Sequence, residues 1–469
     1  MAEAVKVTNE RYRLKYHVST PGGWMNDPNG FSFFKGCYHL FYQYYPYSAQ
    51  KGPMHWGHYR SRDLVHWEEL PIALAPDDEQ NVCFSGSAIE KDGRLYLIYT
   101  GHQYHDLNDH TQFTETQNIA YSDDGIHFKK DAHNPIIAAA PADNTQHFRD
   151  PKVWRQGKYY YMILGSQAAN GLGRALTYRS ENLFDWEYLG PIANAQTSAQ
   201  EGFMWECPDL FTLGDHDILL CSPQGIEPDG LRFLNEFQTG YFSGKMDYQQ
   251  NKFAHGAFTE LDHGHDFYAA QTMLAPDHRR ILIGWMDMWN ANFPEQADGW
   301  SGALTVPREL SYASGHLYMK PIAELMSLRT EKIMAEEGVV TSLEVTTPDP
   351  QHCELLFEAD TSSWSGNEIS FTLESKQQDL VSLTWNKKTG QVTVIRADKP
   401  DGDDKRYGNL QASASLKLHI FIDTSSIEFF LNDGELVFSE RYYTENQPQI
   451  FFSADKGIKA KVEGYTLAQ

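Results

Sequence analysis

The chain has 469 residues, too many for one ordinary hydrophobic core, so two domains are expected. Its formal net charge of −24, with no basic run, excludes nucleic acid and anionic membrane surfaces from the expected partners. The aromatic content, with 26 Tyr, 26 Phe and 11 Trp, favours β-rich structure and flat ligands such as sugars.

The N-terminal segment has no apolar stretch of the length that a secretory signal needs, and no later segment approaches the length of a membrane span. The cysteines are few, odd in number and scattered, which favours reduced thiols over a disulfide framework. No pair has the spacing of zinc ligands. We therefore expect a cytoplasmic protein without a metal. The cysteines are Cys37, Cys83, Cys207, Cys221 and Cys353.

Strand-like runs rich in Tyr, Ile, Leu and Phe recur along the first two thirds of the chain. They begin at Tyr38, Arg94, Lys158, His216 and Arg279, between 56 and 64 residues apart. An outer strand follows several of these runs after a turn. A repeat of this period in an all-β sequence predicts a five-bladed β-propeller over residues 1–320. A β-sandwich with coincidental spacing is the alternative, and it explains the shared period less well.

A third recurring element precedes each run and begins with a polar or acidic residue. These residues are Asp27, Ser85, Asp150, Glu206 and Asp266, between 56 and 65 residues apart. If this element is the innermost strand of each blade, its polar start faces one central funnel. The sequence therefore predicts that remote carboxylates converge there.

After residue 320 the pattern changes. The segment 321–337 has a Pro start, strong helix formers and a following Gly338, which predicts a linker helix. Alternating strands then fill residues 338–469, with Asn432-Asp433-Gly434 as a hairpin turn, so a C-terminal β-sandwich is expected. This part has no clustered carboxylates or histidines, which favours a packing role over sugar binding.

Three acidic motifs carry the predicted chemistry: "WMNDPNG" at residues 24–30, "HFRDPKVW" at 147–154 and "WECPDLF" at 205–211. The first, taken alone, fits a tight turn. Together they fit glycoside hydrolysis, which uses a carboxylate on one side of the bond and a carboxylic acid on the other. The apolar neighbours of Glu206 favour its protonated form, the amides beside Asp27 favour ionisation, and Arg149 is expected to keep Asp150 charged.

Several motifs in order resemble the β-fructosidases of glycoside hydrolase family 32, which include invertases, sucrose-6-phosphate hydrolases and fructanases. They are "WMNDPNG", "FSGS", "FRDP", "ECP", "GHDFYAAQT", "GWSGALTVPREL" and "FIDTSSIEFFLNDGE". The resemblance spans nearly the whole chain and implies a five-bladed propeller with a C-terminal β-sandwich. It also implies a retaining double displacement, with Asp27 as nucleophile, Glu206 as general acid and base, and Asp150 as transition-state stabiliser. Retention would place the Asp27 and Glu206 carboxyls about 5–5.5 Å apart.

The resemblance further implies a supporting set around a small sugar substrate, with no metal and no cofactor. The residues expected to hydrogen-bond the fructosyl unit or orient the carboxylates are Asn26, Gln43, Ser85 and Arg149. The aromatic residues expected to wall the pocket are Trp24, Trp56, Phe84, Tyr268 and Trp285. Asp209 and Asp266 are further candidates for orienting hydrogen bonds.

Lys51 departs from the resemblance, because many relatives carry an aromatic residue before "GPMHWGH". We expect a solvated loop there; contact with a substrate phosphate is the alternative. The many histidines form no spaced ligand set and are expected to be ordinary hydrogen-bonding residues.

The leading hypothesis is hydrolysis of sucrose or sucrose 6-phosphate, with fructan hydrolysis, fructosyl transfer and a non-catalytic sugar-binding propeller as alternatives. The sequence does not reveal the oligomeric state.

Overall fold

The computed structural model describes residues 3–78, 80–399 and 402–468 and is almost entirely β-structure. Five small antiparallel sheets follow one another along the chain, and a large sheet comes after them. This arrangement confirms the predicted five-bladed propeller followed by a C-terminal β-domain.

Each blade places its first strand innermost and its later strands progressively outward. Blade 1 contains β1 (Gly23–Phe34), β2 (Cys37–Tyr45), β3 (His55–Ser61) and β4 (Trp67–Leu74). Blade 2 contains β5 (Val82–Lys91), β6 (Arg94–Asp106), β7 (Asp109–Ser122) and β8 (Lys129–Lys130). Blade 3 contains β9 (Asn144–Gln156), β10 (Tyr159–Ala168), β11 (Gly173–Ser180) and β12 (Glu187–Asn194).

The last two blades carry short additions. Helix α1 (Ser198–Glu201) leads into blade 4, which contains β13 (Met204–Leu213), β14 (His216–Gln224), β15 (Gly240–Asp247), β16 (Lys252–His255) and β17 (Thr259–Glu260). Blade 5 contains β18 (Tyr268–Leu274), β19 (Arg280–Trp285), β21 (Arg308–Ala313) and β22 (His316–Pro321). Between its second and third strands lie a 3-10 helix at Pro294–Asp298 and the short β20 (Trp300–Ser301).

The five inner strands form a closed ring. Strands β1, β5, β9, β13 and β18 contact one another in that order, and β18 contacts β1 again. Strand β20 also pairs in parallel with β1, Gly23 opposite Trp300, so a segment from blade 5 is tied to blade 1. The second strands are buried on both faces because blades pack against both sides of them, which explains their nearly continuous apolar sequence.

The C-terminal domain is one ten-stranded sheet folded into a nearly closed sandwich. Its strands are β23 (Arg329–Val345), β24 (Cys353–Asp360), β25 (Glu368–Ser375), β26 (Gln378–Asn386), β27 (Gln391–Arg396), β28 (Lys405–Asn409), β29 (Ser415–Asp423), β30 (Ser426–Leu431), β31 (Leu436–Arg441) and β32 (Gln449–Leu467). The long β32 pairs with β25 through its first half and with β24 through its second half, so it belongs to both faces. The predicted hairpin turn at Asn432-Asp433-Gly434 joins β30 to β31.

The predicted linker helix at 321–337 is wrong. Pro321 ends β22, a 3-10 helix covers only Ala323–Leu328, and the remainder belongs to β23. Strand β23 pairs with β32 along nearly its whole length. Helix propensity is a weak preference, and here the hydrogen-bonded pairing with a distant strand outweighs it.

Buried ion pairs join the propeller to the C-terminal domain. Arg308 of β21 donates to Asp262 at 2.8 Å and to Glu428 of β30 at 2.6 Å. His17, before the first blade, lies between Asp423 and Glu428. Removing one member of such a pair would leave an uncompensated buried charge. The interface between the two domains therefore contains paired buried charges as well as packed apolar side chains.

Candidate active site

Each inner strand loses its regular register at the position of its predicted site residue. The pairing of β1 with β2 is interrupted between Met25 and Pro28, and comparable irregularities occur at the corresponding points of the other four inner strands. Such bulges re-aim side chains and are frequent beside active sites. Prolines at the interrupted points cost no ladder hydrogen bond. The Asp-Pro and Cys-Pro pairs of the sequence are therefore bulges in strands rather than turns.

Within the three acidic motifs, two bulge residues adopt left-handed backbone geometry without being glycine. Asp150 has φ of 64° and Cys207 has φ of 47°. Such conformations cost free energy and persist where the surrounding structure imposes them, often at functional sites. In this protein they turn side chains of β9 and β13 towards the centre of the ring.

Asp27 is held by donors from three blades. Asn26 Nδ2 donates to Asp27 Oδ1 at 2.9 Å, and Ser85 Oγ donates to Asp27 Oδ2 at 2.9 Å. Cys207 Sγ lies 3.5 Å from the same Oδ2 atom. Trp24 Nε1 donates to the side-chain oxygen of Asn26, which orients that amide. Asn26 and Ser85 therefore orient this carboxylate, which is one of the two roles expected of them, whereas the Cys207 contact was not predicted.

Asp150 shares the Cys207 thiol with Asp27. Asp150 Oδ2 accepts the Cys207 backbone N–H at 2.9 Å and lies 3.7 Å from Cys207 Sγ. Its own backbone N–H donates to Thr100 Oγ1 in β6. Carboxylates from blades 1 and 3 therefore face one thiol from blade 4.

Glu206 is bound by Arg149 and Tyr268. Arg149 donates to Glu206 Oε1 through Nε at 3.0 Å and through a terminal nitrogen at 2.8 Å. Tyr268 OH donates to Glu206 Oε2 at 2.6 Å. The Glu206 side chain keeps 16% exposure, so the carboxyl is accessible to a small molecule. The guanidinium expected to pair with Asp150 thus hydrogen-bonds Glu206 instead.

The three carboxylates compete for protons in a way the sequence did not predict. Burial and the charge of Glu206 raise the pKa of Asp27. Burial raises the pKa of Asp150 to about 8, with the charges of Glu206 and Asp27 adding to it and Arg149 opposing it. Burial alone would raise the pKa of Glu206, but Arg149 and the hydrogen bonds from Tyr268 and Arg149 lower it. Asp27 and Asp150 therefore hold a proton more readily than usual, whereas Glu206 is more readily ionised.

Two of the predicted residues hydrogen-bond the backbone of β5 next to Ser85. Gln43 donates to the Cys83 carbonyl, and Trp56 donates to the Phe84 carbonyl, both at 3.0 Å. Three of the predicted wall residues have no exposed surface and lie behind the residues that face solvent. They are Trp56, Tyr268 and Trp285. Phe84 is partly exposed. Direct contact of these side chains with a sugar stays a prediction.

Lys51 keeps exposed surface, but its ammonium packs against an aromatic ring and does not lie in a fully solvated loop. Lys51 Nζ lies 4.0 Å from the centre of the Trp289 ring, and Trp289 packs against Trp24 and Trp285. Burial lowers the pKa of Lys51, although the charges of Glu206 and Asp27 act to raise it. The lysine is therefore part of the aromatic wall beside the carboxylates.

Residues 17–321 match the Glycosyl hydrolases family 32 N-terminal domain, and residues 324–468 match the family's C-terminal domain. The chain belongs to glycoside hydrolase family 32. Sucrose-6-phosphate hydrolase from Zymomonas mobilis is 41% identical over 96% of this chain and 90% of its own length. Raffinose invertase from Escherichia coli is 40% identical over 92% of this chain and 89% of its own length.

Solved structures of family 32 share the whole architecture. A Bombyx mori GH32 beta-fructofuranosidase has a TM-score of 0.88 and 39% identity, covering 98% of this chain and 95% of that one. A mutant of that enzyme was solved in complex with sucrose. Sucrose-6-phosphate hydrolase from Lactobacillus gasseri has a TM-score of 0.87 and 28% identity, covering 98% and 94%. The family 32 assignment makes this chain a glycoside hydrolase, and the carboxylate cluster is its candidate active site.

Two further carboxylates of this family 32 chain have structural partners. Asp209 accepts from the backbone and hydroxyl of Thr272 and pairs with Lys152 at 3.0 Å. Asp266 pairs with Arg396 of the C-terminal domain. Asp266 therefore joins the two domains instead of facing the funnel, although it keeps the period of the site residues.

Sequence reasoning gave no role to Glu115, Cys207 or Trp289, which the structure brings to the site. The available signal for Cys207 was its position directly after Glu206 in the motif "WECPDLF". Glu115 and Trp289 carried only weak signals, a charged residue within the strand-like run "TETQNIAYS" and a second Trp after "GWMDM".

All five cysteines are free thiols. Within residues 3–78, 80–399 and 402–468, no three His, Cys, Asp or Glu side chains converge as they would around a metal ion. The helices in that same part of the chain are too short to cross a lipid bilayer.

Proposed function

We propose that this chain is a retaining β-fructofuranosidase that hydrolyses the terminal β-D-fructofuranosyl bond of sucrose or sucrose 6-phosphate and releases fructose. One observation carries the proposal: Asp27 and Asp150, from blades 1 and 3, meet at the Cys207 thiol, and the charge of Glu206, the residue before Cys207 in blade 4, acts on both aspartates. A sugar-binding protein needs no such set of carboxylates. The relatives named sucrose-6-phosphate hydrolase and the related structure with sucrose support the substrate.

In the first step, an Asp27 oxygen bonds to the anomeric carbon of the fructosyl unit while the bond to the leaving oxygen breaks. Glu206 gives its proton to that oxygen, and the glucosyl product departs. In the second step, Glu206 takes a proton from water, which displaces Asp27 and releases fructose. Asp150, beside Asp27, would bind ring hydroxyls as positive charge develops on the sugar. The cycle returns both carboxyls to their starting state.

The hydrogen bonds of Glu206 oppose the protonation state that the first step needs. Arg149 and Tyr268 hold Glu206 charged, whereas Glu206 must carry a proton and Asp27 must be ionised. Sugar hydroxyls that accept from Arg149 would withdraw its donors from Glu206, and the bound sugar would exclude water. Both changes raise the pKa of a carboxyl. Substrate binding would therefore move the proton towards Glu206.

The test is fructose release by the wild-type enzyme, Asp27→Ala and Glu206→Ala on sucrose and sucrose 6-phosphate. Each variant is expected to lose roughly 100-fold or more in kcat, since loss of one acid–base group typically costs that much. Asp124→Ala, which removes an exposed carboxylate of blade 2, is the control and should retain full activity. Wild-type activity in either site variant, with the protein folded, would contradict the proposal.

A second measurement separates the two roles. With an activated aryl fructofuranoside, azide should partly restore turnover of Glu206→Ala, because a small anion attacks the fructosyl-enzyme without a base. Asp27→Ala forms no such intermediate and should not respond. Running inulin beside sucrose in the wild-type assay, and identifying the products, tests fructan hydrolysis and fructosyl transfer.

A further inference from the structure

Arg149 lies between two carboxylates, only one of which belongs to the predicted catalytic set. One edge of its guanidinium donates to Glu206. The remaining terminal nitrogen lies 3.5 Å from Glu115 Oε1 and 3.0 Å from His147 Nδ1. Glu115 belongs to β7, the third strand of blade 2, and its side chain has no exposed surface. A buried carboxylate therefore supports the arginine from the side away from Glu206.

Glu115 is itself held in place. Its Oε2 atom accepts the Phe148 backbone N–H at 2.6 Å, and its Oε1 atom lies 3.1 Å from His102 Nδ1, on the neighbouring strand β6. The His102 ring packs against Phe84, the partly exposed aromatic residue at the site, with ring centres 4.4 Å apart. Burial would raise the pKa of Glu115, but Arg149 and these hydrogen bonds lower it, so the carboxylate is charged.

We propose that Glu115 is a positioning residue for the reaction. It holds the Arg149 guanidinium in place against Glu206 and balances part of the guanidinium charge. This inference rests on the proposed function. The Glu115 side chain is fully buried behind Arg149, so it acts through that arginine. The trio of two carboxylates and one guanidinium carries one negative charge, and removing Glu115 would make it neutral.

The consequence concerns how tightly Glu206 holds its acid proton. With Glu115 present, part of the guanidinium charge is balanced, and a second negative charge lies nearby. Without it, the full Arg149 charge acts on Glu206 and favours the ionised form. The groups that face the trio from the surrounding elements are Asp27 of β1, Lys51 before β3, His102 of β6, His147 and Asp150 of β9, Cys207 of β13 and Tyr268 of β18.

The experiment is the pH profile of kcat/KM for fructose release from sucrose. Its basic limb reports loss of the acid proton in the free enzyme, as an apparent value of the coupled carboxylates. Glu115→Gln keeps the shape, and its amide oxygen can still accept from Phe148, while its NH2 group takes the place of the charged oxygen that faces Arg149 and His102. We expect the basic limb to move to lower pH by about one unit, the size of one charge acting across a partly buried site.

Matched variants separate positioning from general loss of stability. Glu354→Gln removes a buried carboxylate that binds Arg329 and His419 in the C-terminal domain, and it should leave the limb unmoved. Glu115→Asp keeps the charge but withdraws it from Arg149, so the limb should stay near its wild-type position while kcat falls about fivefold with little change in KM.

Three results would overturn the inference. They are a wild-type basic limb in folded Glu115→Gln, an equal shift in Glu354→Gln, and an unchanged kcat in Glu115→Asp. The last measurement decides the matter if Glu115→Gln does not fold. A wild-type enzyme that releases no fructose would count against the proposed function, whereas an active wild type with an unmoved limb would count against the role of Glu115 alone.

Discussion

At the scale of single residues, the site depends on which carboxylate each donor binds. Arg149 is adjacent to Asp150 in sequence, yet its guanidinium donates to Glu206, 57 positions away along the chain. This contact, together with the Tyr268 hydrogen bond and the burial of both aspartates, reverses the protonation preferences expected from neighbouring residues. Local sequence context reports the residues beside a carboxyl along the strand, whereas a pKa depends on the groups opposite it in space.

Lys51 gives a prediction at this scale. Its ammonium lies against Trp289, and the charges of Glu206 and Asp27 act on it. We expect a phosphate on the leaving group of the substrate to reach this ammonium. We expect Lys51→Met to lower the ratio of kcat/KM for sucrose 6-phosphate to that for sucrose by about tenfold or more, since a hydrogen bond to a charged group contributes about 1.5–3 kcal/mol.

The matched control for Lys51 is Lys158→Met, an exposed lysine that also packs on an aromatic ring, Tyr159, away from the site. It should leave the ratio unchanged. An unchanged ratio in Lys51→Met as well would support the solvated-loop interpretation of the sequence.

At the scale of elements, the bulged inner strand is the unit that builds the site. Each blade has a regular run of paired residues at its outer end and an interrupted one at the funnel end. The regular part fixes the strand, and the interruption turns the polar side chain inward. Close packing between neighbouring blades then fixes the distance from one carboxylate to the next.

Gly165 tests that packing. It pairs with Arg149, and a Cβ there would collide with the carbonyl oxygen of Trp205, the residue before Glu206. We expect Gly165→Ala to displace β13 and to lower kcat/KM for sucrose roughly 100-fold, because misplacement of a catalytic group by about 1 Å can cost that much.

Gly338→Ala is the control for this substitution. Gly338 also lies in a strand, β23, but an added Cβ there would meet no atom within 4 Å. Circular dichroism would verify that both variants fold. Full activity in Gly165→Ala would show that the blades tolerate movement of β13 and would contradict this account.

At the scale of the whole molecule, buried charges match the propeller to the C-terminal domain. His17 Nδ1 lies 2.8 Å from Asp423 and its Nε2 lies 2.9 Å from Glu428, so both ring nitrogens face carboxylates of the C-terminal domain. Burial lowers the pKa of His17, but these hydrogen bonds outweigh it and raise the pKa to about 9. The imidazolium is therefore the stable form at neutral pH.

This raised pKa predicts how stability depends on pH. The folded state binds the proton more tightly than the unfolded chain, whose histidine titrates near 6.5. The stabilisation is therefore complete below about pH 6.5 and is lost as the pH rises through about 9. Its size, from a shift of this magnitude, is on the order of 3 kcal/mol.

The measurement compares thermal unfolding of the wild type and His17→Gln between pH 6 and 10. The difference in unfolding temperature should be largest at pH 6 and should shrink towards pH 10. Subtracting the variant removes the contribution of other groups that titrate in this range. A difference that is constant with pH would mean that His17 is neutral in the folded protein.

The sequence by itself determined the repeat, and through it the number of blades, the innermost strand of each and the three acidic positions. These features depend on the repeat period and on composition, and both can be read directly from a single sequence. It misjudged residues 321–337, because pairing between β23 and β32 outweighs local helix preference. Asp266 keeps the period of the site residues but pairs with Arg396 of the other domain.

Only the tertiary structure decided which groups face each carboxylate. Glu115 meets Arg149 from another blade, Cys207 lies between two aspartates, and Lys51 rests on Trp289. The physical reason is that burial and charge act through space, over a few ångströms, between residues far apart in the chain. Periodicity places a side chain on the inner strand, but the packing of the blades against one another sets its neighbours and hence its proton affinity.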